Sequence, residues 1–489
     1  MATPRRVVLI HSPPHGEVPF RHIGLGYLQA VLEASGNECI LFDISLKEDL
    51  AHTDFYVDYI RYLSEGIGDM GDGPDPRIIA QVTHPEWFSE LLPISQTIIR
   101  KAESYLEKVV VAGDVFLFTV NTLTVYFAAA LSSMLRRRGY RSAAGGPNMG
   151  FAPLRSILLR SGAFDAVIQG EGDGVVVDLV KWLRRESLTL PPGANWLQGD
   201  EVKALPAAPP VPLDDLPYPL FRGTLVREFV PILSSRGCPR KCAFCSETSN
   251  WVSWRFRKVP NVIAEMDERA RQYGLTSFHF HDDSINGSLP WIDEFSRVLT
   301  GRGYPYQWES FCCPEGLTEE RLARMRKAGC VLLKVGVQSF SPPVLMAMRR
   351  RPDVEFLKRA ILFGDSIGIS IRFDMLIGFP GETHEDHQEN LKVLDEILTQ
   401  APRVYFSPNP FYLSLGSETM LNADRYGIEI RYFDWSTLPG PAAEMVRKSG
   451  QFPVGHTYDI PRPVLVERMA DMGRILEKQN KDYQYLGRT

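Results

Sequence analysis

Three observations in the sequence predict an α/β protein of two successive parallel-sheet units. Apolar strands alternate with helices over residues 7–42 and again over 115–168, the pattern of βαβ units. Six further strands with intervening helices follow within about 180 residues after position 226. Between the two series stand eight prolines from Pro191 to Pro219, which fix φ and remove donors and so break the alternation.

In the first series, 7–10 is a buried-type strand, 11–24 a Pro/Gly/His-rich loop, 25–35 a helix and 40–42 the next strand. Then come a strand at 115–118, a helix at 123–138, a strand at 141–144 stopped by Gly145-Gly146-Pro147, a helix ending at 157–161, and a strand at 166–168. That last strand leads into Gly170-Glu171-Gly172-Asp173. Open sheets of this kind bind ligands beyond the carboxyl ends of their strands. The loops at 11–14, 121–122, 145–148 and 170–173 fall at that edge. Residues 48–110 interrupt the alternation, with helices expected at 55–63 and 91–108 around a Gly/Asp/Pro-rich run at 66–77. The reading is a Rossmann-like domain over 1–185 with a helical insertion at 48–110, then a proline-rich extended linker over 186–225.

The second series starts with an apolar stretch at 229–233. Strands follow at 277–281, 306–311, 332–337, 370–377 and 403–407, separated by helices at 261–273, 289–299, 319–328, 354–367 and 385–399. Six strands over 226–407 suit a partial (β/α)6 barrel of the TIM type, whose functional groups gather at the carboxyl ends of the strands. Residues 408–489 form a small C-terminal domain, helical at 463–478. Its Tyr412, Tyr432, Phe433, Trp435, His456 and Tyr458 suit the wall of a substrate cavity or an ordinary small core.

Composition narrows the class. A length of 489 residues allows about three domains, and the 44% hydrophobic and 23% charged fractions are those of a globular chain. Net charge is -5 without a long basic run, so nucleic-acid binding is not expected. The residues before the first strand lack the apolar core of an export signal, and no apolar run is long enough to span a membrane. A cytoplasmic protein is expected.

The chemistry concentrates in Cys238-Pro239-Arg240-Lys241-Cys242-Ala243-Phe244-Cys245, a C-x3-C-x2-C triplet directly after the first barrel strand. A structural zinc site needs four protein ligands, and no fourth stands nearby: His279, His281, Cys312 and Cys313 are all distant in sequence. Seven cysteines in 489 residues are too few for a disulfide framework. Three thiolates do suit a [4Fe–4S] cluster that keeps one iron open. Cys39 and Cys330 read as core packing, and Cys312 and Cys313, near the barrel mouth, as small buried residues or, alternatively, as a hydrogen-atom donor or substrate contact. His279 and His281 read as satisfied structural histidines.

This triplet resembles that of the radical S-adenosylmethionine (SAM) enzymes. Gly336-Val337-Gln338-Ser339-Phe340 and Gly378-Phe379-Pro380-Gly381-Glu382 resemble SAM-contacting motifs of the same enzymes. The resemblance implies that Cys238, Cys242 and Cys245 hold a [4Fe–4S] cluster, and that Gln338, Arg350, Arg372 and Asp374 hold SAM. An arginine there pairs with the methionine carboxylate, and an amide or carboxylate binds the ribose hydroxyls. Asp282 and Asp283 either reach SAM or cap the next helix.

The N-terminal set of Pro13-Pro14, Gly24 to Tyr27, Gly-Gly-Pro and Gly-Glu-Gly resembles the cobalamin-binding domain that precedes many radical SAM domains. The resemblance implies that Thr122, Gly145, Gly146, Gly170 and Glu171 touch the corrin or its tail, small residues letting the ring approach the backbone. An Asp-x-His-x-x-Gly signature is absent, so no histidine is expected below the cobalt. The alternative is a domain of this fold that holds no cofactor.

Taken over most of the chain, the resemblance is to the cobalamin-dependent radical SAM family. It implies methylation of an unactivated carbon of a small-molecule or peptide natural-product intermediate through a 5′-deoxyadenosyl radical and methylcobalamin. A flavodoxin or ferredoxin would supply the electron. The alternatives are cyclisation, rearrangement or oxidation without methyl transfer, and a non-catalytic Fe–S accessory protein. A methylthiotransferase would carry a second cysteine cluster in its N-terminal domain, where this chain offers only Cys39.

Overall fold

The computed structural model describes residues 6–11, 23–43, 74–84, 93–121, 124–222, 226, 228–251, 253–303, 306–401, 403–438 and 440–478. The expected helix at 55–63, the Pro13-Pro14 loop and Thr122 lie outside them. The chain divides into two compact units, Met1–Leu225 with Ile430–His456, and Val226–Glu429 with Thr457–Thr489.

The first unit is built on β1 (Val7–His11), β2 (Cys39–Asp43), β3 (Val115–Thr119), β4 (Arg141–Gly145), β5 (Ala166–Ile168), β6 (Ala194–Gln198) and β7 (Glu201–Ala204), in the order β2-β1-β3-β4-β5-β6-β7. The first five run parallel and in the 2-1-3-4-5 doubly wound order, whose chain reversal lies between β1 and β3. Both faces are covered, which is why β1 is buried at all five positions. Val8, Ile10, Phe116 and Phe118 pack under the helices Pro76–Thr83, Pro93–Glu107, Val125–Arg137 and Ala152–Arg160. Val7, Leu9, Val115 and Leu117 pack under Ile23–Ala34 and Val176–Leu183.

Three expectations need correction here. The stretch 186–225 is not simply an extended linker: β6 and β7 form an antiparallel hairpin on the edge of the sheet, turning at Gly199 with φ +59°. The hairpin is pinned by a buried amide, Asn195, which accepts from Arg155 Nε at 3.1 Å and donates to the Gly193 carbonyl at 3.0 Å. Helix Pro76–Thr83 starts inside the run expected to be loop, because Asp75 caps it, accepting from Arg77 N at 2.8 Å, and Pro76 fits its first turn. Residues 430–456 do not belong to one domain spanning 408–489. Ala442, Met445, Val446 and Phe452 enter the core of the first unit.

The second unit is a parallel six-stranded sheet of β8 (Val230–Ile232), β11 (Ser277–Phe280), β12 (Gln307–Cys312), β13 (Cys330–Gln338), β14 (Ser370–Ile377) and β15 (Val404–Pro410), paired in sequence order. A two-residue ladder, β9 (Ser235–Arg236) with β10 (Arg255–Phe256), flanks it. Each strand alternates. Val230, Phe278, Trp308, Val335, Phe373 and Phe406 face the helical layer, while the intervening positions carry His279, Glu309, Lys334, Arg372, Asp374 and Asn409. Helices Val259–Tyr273, Leu289–Arg302, Glu319–Lys327, Val354–Ser366 and His384–Gln400 form the outer layer. Helix Arg462–Lys478 adds Met472 and Leu476 to the same core. No helix among the described residues is long and apolar enough to cross a membrane.

Candidate active site

The three thiols lie on the loop that leaves β9. Gly237 opens it with φ +79°, and a Cβ there would lie 3.2 Å from Trp251 Cβ, so glycine is needed for both conformation and room. Ala243, at the centre of the loop, is fully buried, donates its N–H to the Met348 carbonyl at 3.0 Å, and accepts from Thr419 N at 3.0 Å. Asp282, just past β11, ties down the start of the loop: it accepts from Ser234 N at 2.9 Å and from the Ser234 and Ser235 hydroxyls. Asp282 is therefore a buried anchor of the cluster loop and does not cap the following helix, whose cap is Ser288.

Burial pushes the Cys238 and Cys245 thiols up to about 12. Thiolates at such positions need a bound cationic centre to offset the desolvation. Among the described residues no group of three His, Cys, Asp or Glu side chains converges on a single metal ion. A cubane asks for no such convergence, since each thiolate takes a different iron, so the donor set fits a cluster better than one ion. Arg350 Nη1 donates to Cys242 Sγ at 3.2 Å, and Nη2 donates to the Gly336 carbonyl. Its guanidinium thus joins the thiol loop to β13. Cys313 is buried, with Arg240 Nη2 3.4 Å from its Sγ, and Cys312, Cys330 and Cys39 are also buried.

Of the residues expected to hold SAM, Gln338 and Arg350 stand together beside Gly336, where a Cβ would lie 3.4 Å from Gln338 Nε2 and 3.9 Å from Arg350 Nη2. Arg372 and Asp374 lie within β14. Gln338 ends β13 at φ +73°, a left-handed conformation that a non-glycine residue holds only when its surroundings enforce it. Asp374 pairs in register with Gly336. Its carboxyl is pushed up by burial, and Asn409 Nδ2 donates to it at 3.4 Å. Arg372 lies two positions earlier, in register with Lys334. Tyr412, whose phenol is pushed up by burial and by neighbouring Cys245 and Asp374, lies near both the loop and β14.

Sequence reading missed a charged band below these positions. His279 Nδ1 lies 2.5 Å from Glu309 Oε1, Glu309 lies 3.8 Å from Lys334 Nζ, and Lys334 stands over the Phe311 ring at 5.2 Å. Burial lowers the pKa of both His279 and Lys334. The signal was available: Glu309 and Lys334 are charges inside strands whose other faces are apolar.

The Gly378–Glu382 turn is closed by its own side chain, Gly378 N donating to Glu382 Oε2 at 2.5 Å. Burial pushes Glu382 up to about 7. The folded protein therefore binds this proton more tightly than the unfolded chain does. The associated stabilisation is full below about pH 4.5 and is lost as the pH rises to about 7. Glu382→Gln should remove a slope of about 3 kcal/mol from that window. Urea unfolding of the two proteins at several pH values checks it, and parallel curves would refute it.

At the sheet edge of the first unit the glycines divide by cause. Gly146 has φ +132°, and a Cβ there would lie 2.3 Å from the Val120 carbonyl oxygen. Gly170 has φ +90°, with Ala207 Cβ 3.2 Å away. Backbone geometry alone requires both. A Cβ on Gly145 would meet no atom within 4 Å, so this position leaves room against the backbone beyond β4. Glu171 is half-buried at the same edge. His11, ending β1 at the chain reversal, holds Asp43 of β2 at 3.2 Å. Gly26, by contrast, sits inside the first helix, where a Cβ would meet the Leu220 carbonyl oxygen at 2.8 Å.

Comparison with known proteins decides the barrel's identity. Residues 232–394 match the Radical SAM superfamily. That segment is a radical SAM domain. An uncharacterized methyltransferase of Pyrococcus horikoshii is 26% identical over 258 residues, 51% of this chain and 56% of that one. An anaerobic magnesium-protoporphyrin IX monomethyl ester cyclase of Cereibacter sphaeroides is 25% identical over 257 residues, 49% and 42% of the two chains. The match spans about half the length of these curated relatives. The radical SAM methyltransferase TsrM of Kitasatospora setae, solved with cobalamin and a [4Fe–4S] cluster bound, shares the fold at TM-score 0.64. It is 18% identical, with 96% of this chain and 89% of that chain covered. The chain therefore shares the fold of that protein.

Proposed function

We propose that this radical SAM enzyme is a cytoplasmic, cobalamin-dependent methyltransferase acting on an unactivated carbon of a small-molecule or peptide natural-product intermediate. It would use a flavodoxin or ferredoxin as electron donor and bind no nucleic acid. The observation that carries the reading is the pairing, in one chain, of a three-thiol barrel loop with a 2-1-3-4-5 sheet whose Gly145 edge leaves room against the backbone. Cys238, Cys242 and Cys245 would hold the cluster. Gln338, Arg350, Arg372 and Asp374 would hold SAM, and Thr122, Gly145, Gly146, Gly170 and Glu171 the cobalamin.

When bound, the cluster and SAM supply a deoxyadenosyl radical and the cobalamin supplies a methyl group. The chain's part is to position and enclose them. Asp374 can accept from a ribose hydroxyl, and Arg372 can pair with a carboxylate.

The test is an anaerobic reaction of reconstituted protein with SAM, cobalamin and candidate substrates, read by mass. The reading expects a product one methyl group heavier and S-adenosylhomocysteine formed alongside deoxyadenosine. The cyclase relative favours a second reading, ring closure without methyl transfer. Deoxyadenosine with an unmethylated, altered product would select it. Absence of any reductive SAM cleavage would reject both.

A further inference from the structure

The strained Gln338 and the Gly378–Glu382 turn sit on different strands, yet polar contacts hold the first from helix His384–Gln400 and the second from helix Arg462–Lys478, and His387 and Asp471 join the two helices. Asn390, on helix His384–Gln400 and 1% exposed, accepts at Oδ1 from Phe340 N at 2.6 Å and from Ser339 Oγ at 3.1 Å. These are the two residues directly after Gln338. One turn earlier on the same helix, Asp386 accepts from Ser341 Oγ at 2.5 Å and from Thr383 N at 2.9 Å.

The other turn is held from helix Arg462–Lys478. Arg468, 6% exposed, donates from both Nη atoms to the Glu382 carbonyl at 3.2 Å, and Nη1 lies 3.6 Å from Glu382 Oε1. His387 joins the helices: its Nε2 lies 3.0 Å from Asp471 Oδ2 and its Nδ1 3.8 Å from Glu382 Oε1.

We infer that Asn390 and Arg468 are positioning residues for SAM, and that the C-terminal helix is a functional part of the SAM site. The inference rests on the reading that these two turns hold SAM. A left-handed glutamine persists only where its neighbours over-determine it, and Asn390 fixes the backbone N–H two residues on. Arg468 does the same for the second turn by holding its last carbonyl. Buried polar contacts of this kind fix the backbone groups they reach, and removing one partner releases the loop it holds. Neither residue need touch the ligand, because small misplacement of the contacting groups is enough to weaken binding.

The test is equilibrium dialysis of labelled SAM against anaerobically reconstituted protein, together with the change in the cluster's electron paramagnetic resonance signal on adding SAM. Asn390→Leu and Arg468→Met should each weaken SAM binding on the order of tenfold or more, with iron content unchanged. Arg468→Lys, which can still donate to the Glu382 carbonyl, should recover most of the loss. The effect should fall on KM for SAM more than on kcat. Wild-type affinity in both apolar variants, or a lysine variant as weak as the methionine one, would overturn the positioning role while leaving the proposed function standing. Failure of the wild-type protein to bind SAM would overturn both.

Discussion

Cys242→Ala is expected to yield a folded protein that holds no iron. Cys242 is half-exposed on its loop, and the neighbouring Ala243 keeps both backbone bonds to Met348 and Thr419 whatever stands at 242. The fold should therefore survive. The cluster should not, because two thiols remain and burial holds Cys238 and Cys245 in the protonated form, up to about 12, when no metal offsets it. Iron and sulfide content, visible absorbance and deoxyadenosine release should all fall to background together. Cys313→Ala is the matched control. That thiol is buried beside Arg240 and outside the triplet, so its loss should leave iron content near wild type. A Cys242 variant with full iron and undiminished SAM cleavage would reject the assignment of the triplet.

Gly146→Ala should cost the first unit several kcal/mol, on the order of 3–5, before any cofactor is considered. Its backbone, at φ +132° and ψ 175°, lies in a region nearly exclusive to glycine. The new Cβ would also lie 2.3 Å from the Val120 carbonyl oxygen, forcing apart the turn in which Val120 N donates to the Gly145 carbonyl at 2.8 Å. For a unit of this size the melting temperature should drop by roughly 10 °C. Gly145→Ala should behave oppositely. It meets no atom within 4 Å, so the melting temperature without cofactor should hold while cobalamin affinity falls. Thermal unfolding with and without added cobalamin separates the two. A stable Gly146 variant would remove the backbone argument, and an unaffected cobalamin affinity in the Gly145 variant would remove the case for that edge.

Those adjacent glycines show how far the sequence can be read. Gly-Gly-Pro after a strand marks a turn and permits a ligand, but it does not say which glycine serves which purpose. Only the approach of Val120 assigns Gly146 to the backbone. The strands were legible because parallel strands buried on both faces read as apolar runs: the expected 332–337 is the core of Cys330–Gln338. The β6–β7 hairpin was not legible, since its anchor is the amide of Asn195 and a hydrophobic pattern counts that residue as surface. The role of Asp282 was open for a similar reason. Its partners Ser234 and Ser235 lie 48 and 47 residues away.

The sequence by itself determined the order of the parallel strands and the helices between them in the second unit, the three thiols and their spacing, the partial barrel, and the strands on which candidate SAM residues stand. These are local properties, set by hydrophobic period and by the chemistry of neighbouring side chains. Only the tertiary structure decided which core each segment joins and which side chain holds which loop. Residues 430–456 left the C-terminal segment for the first unit because Val446 and Phe452 found burial there. Arg468 reached 86 positions back to Glu382, and Arg350 reached 108 positions back to Cys242. Such contacts depend on how strands and helices stack in space, and the free energy of a buried polar partner carries no mark in the local sequence around either member.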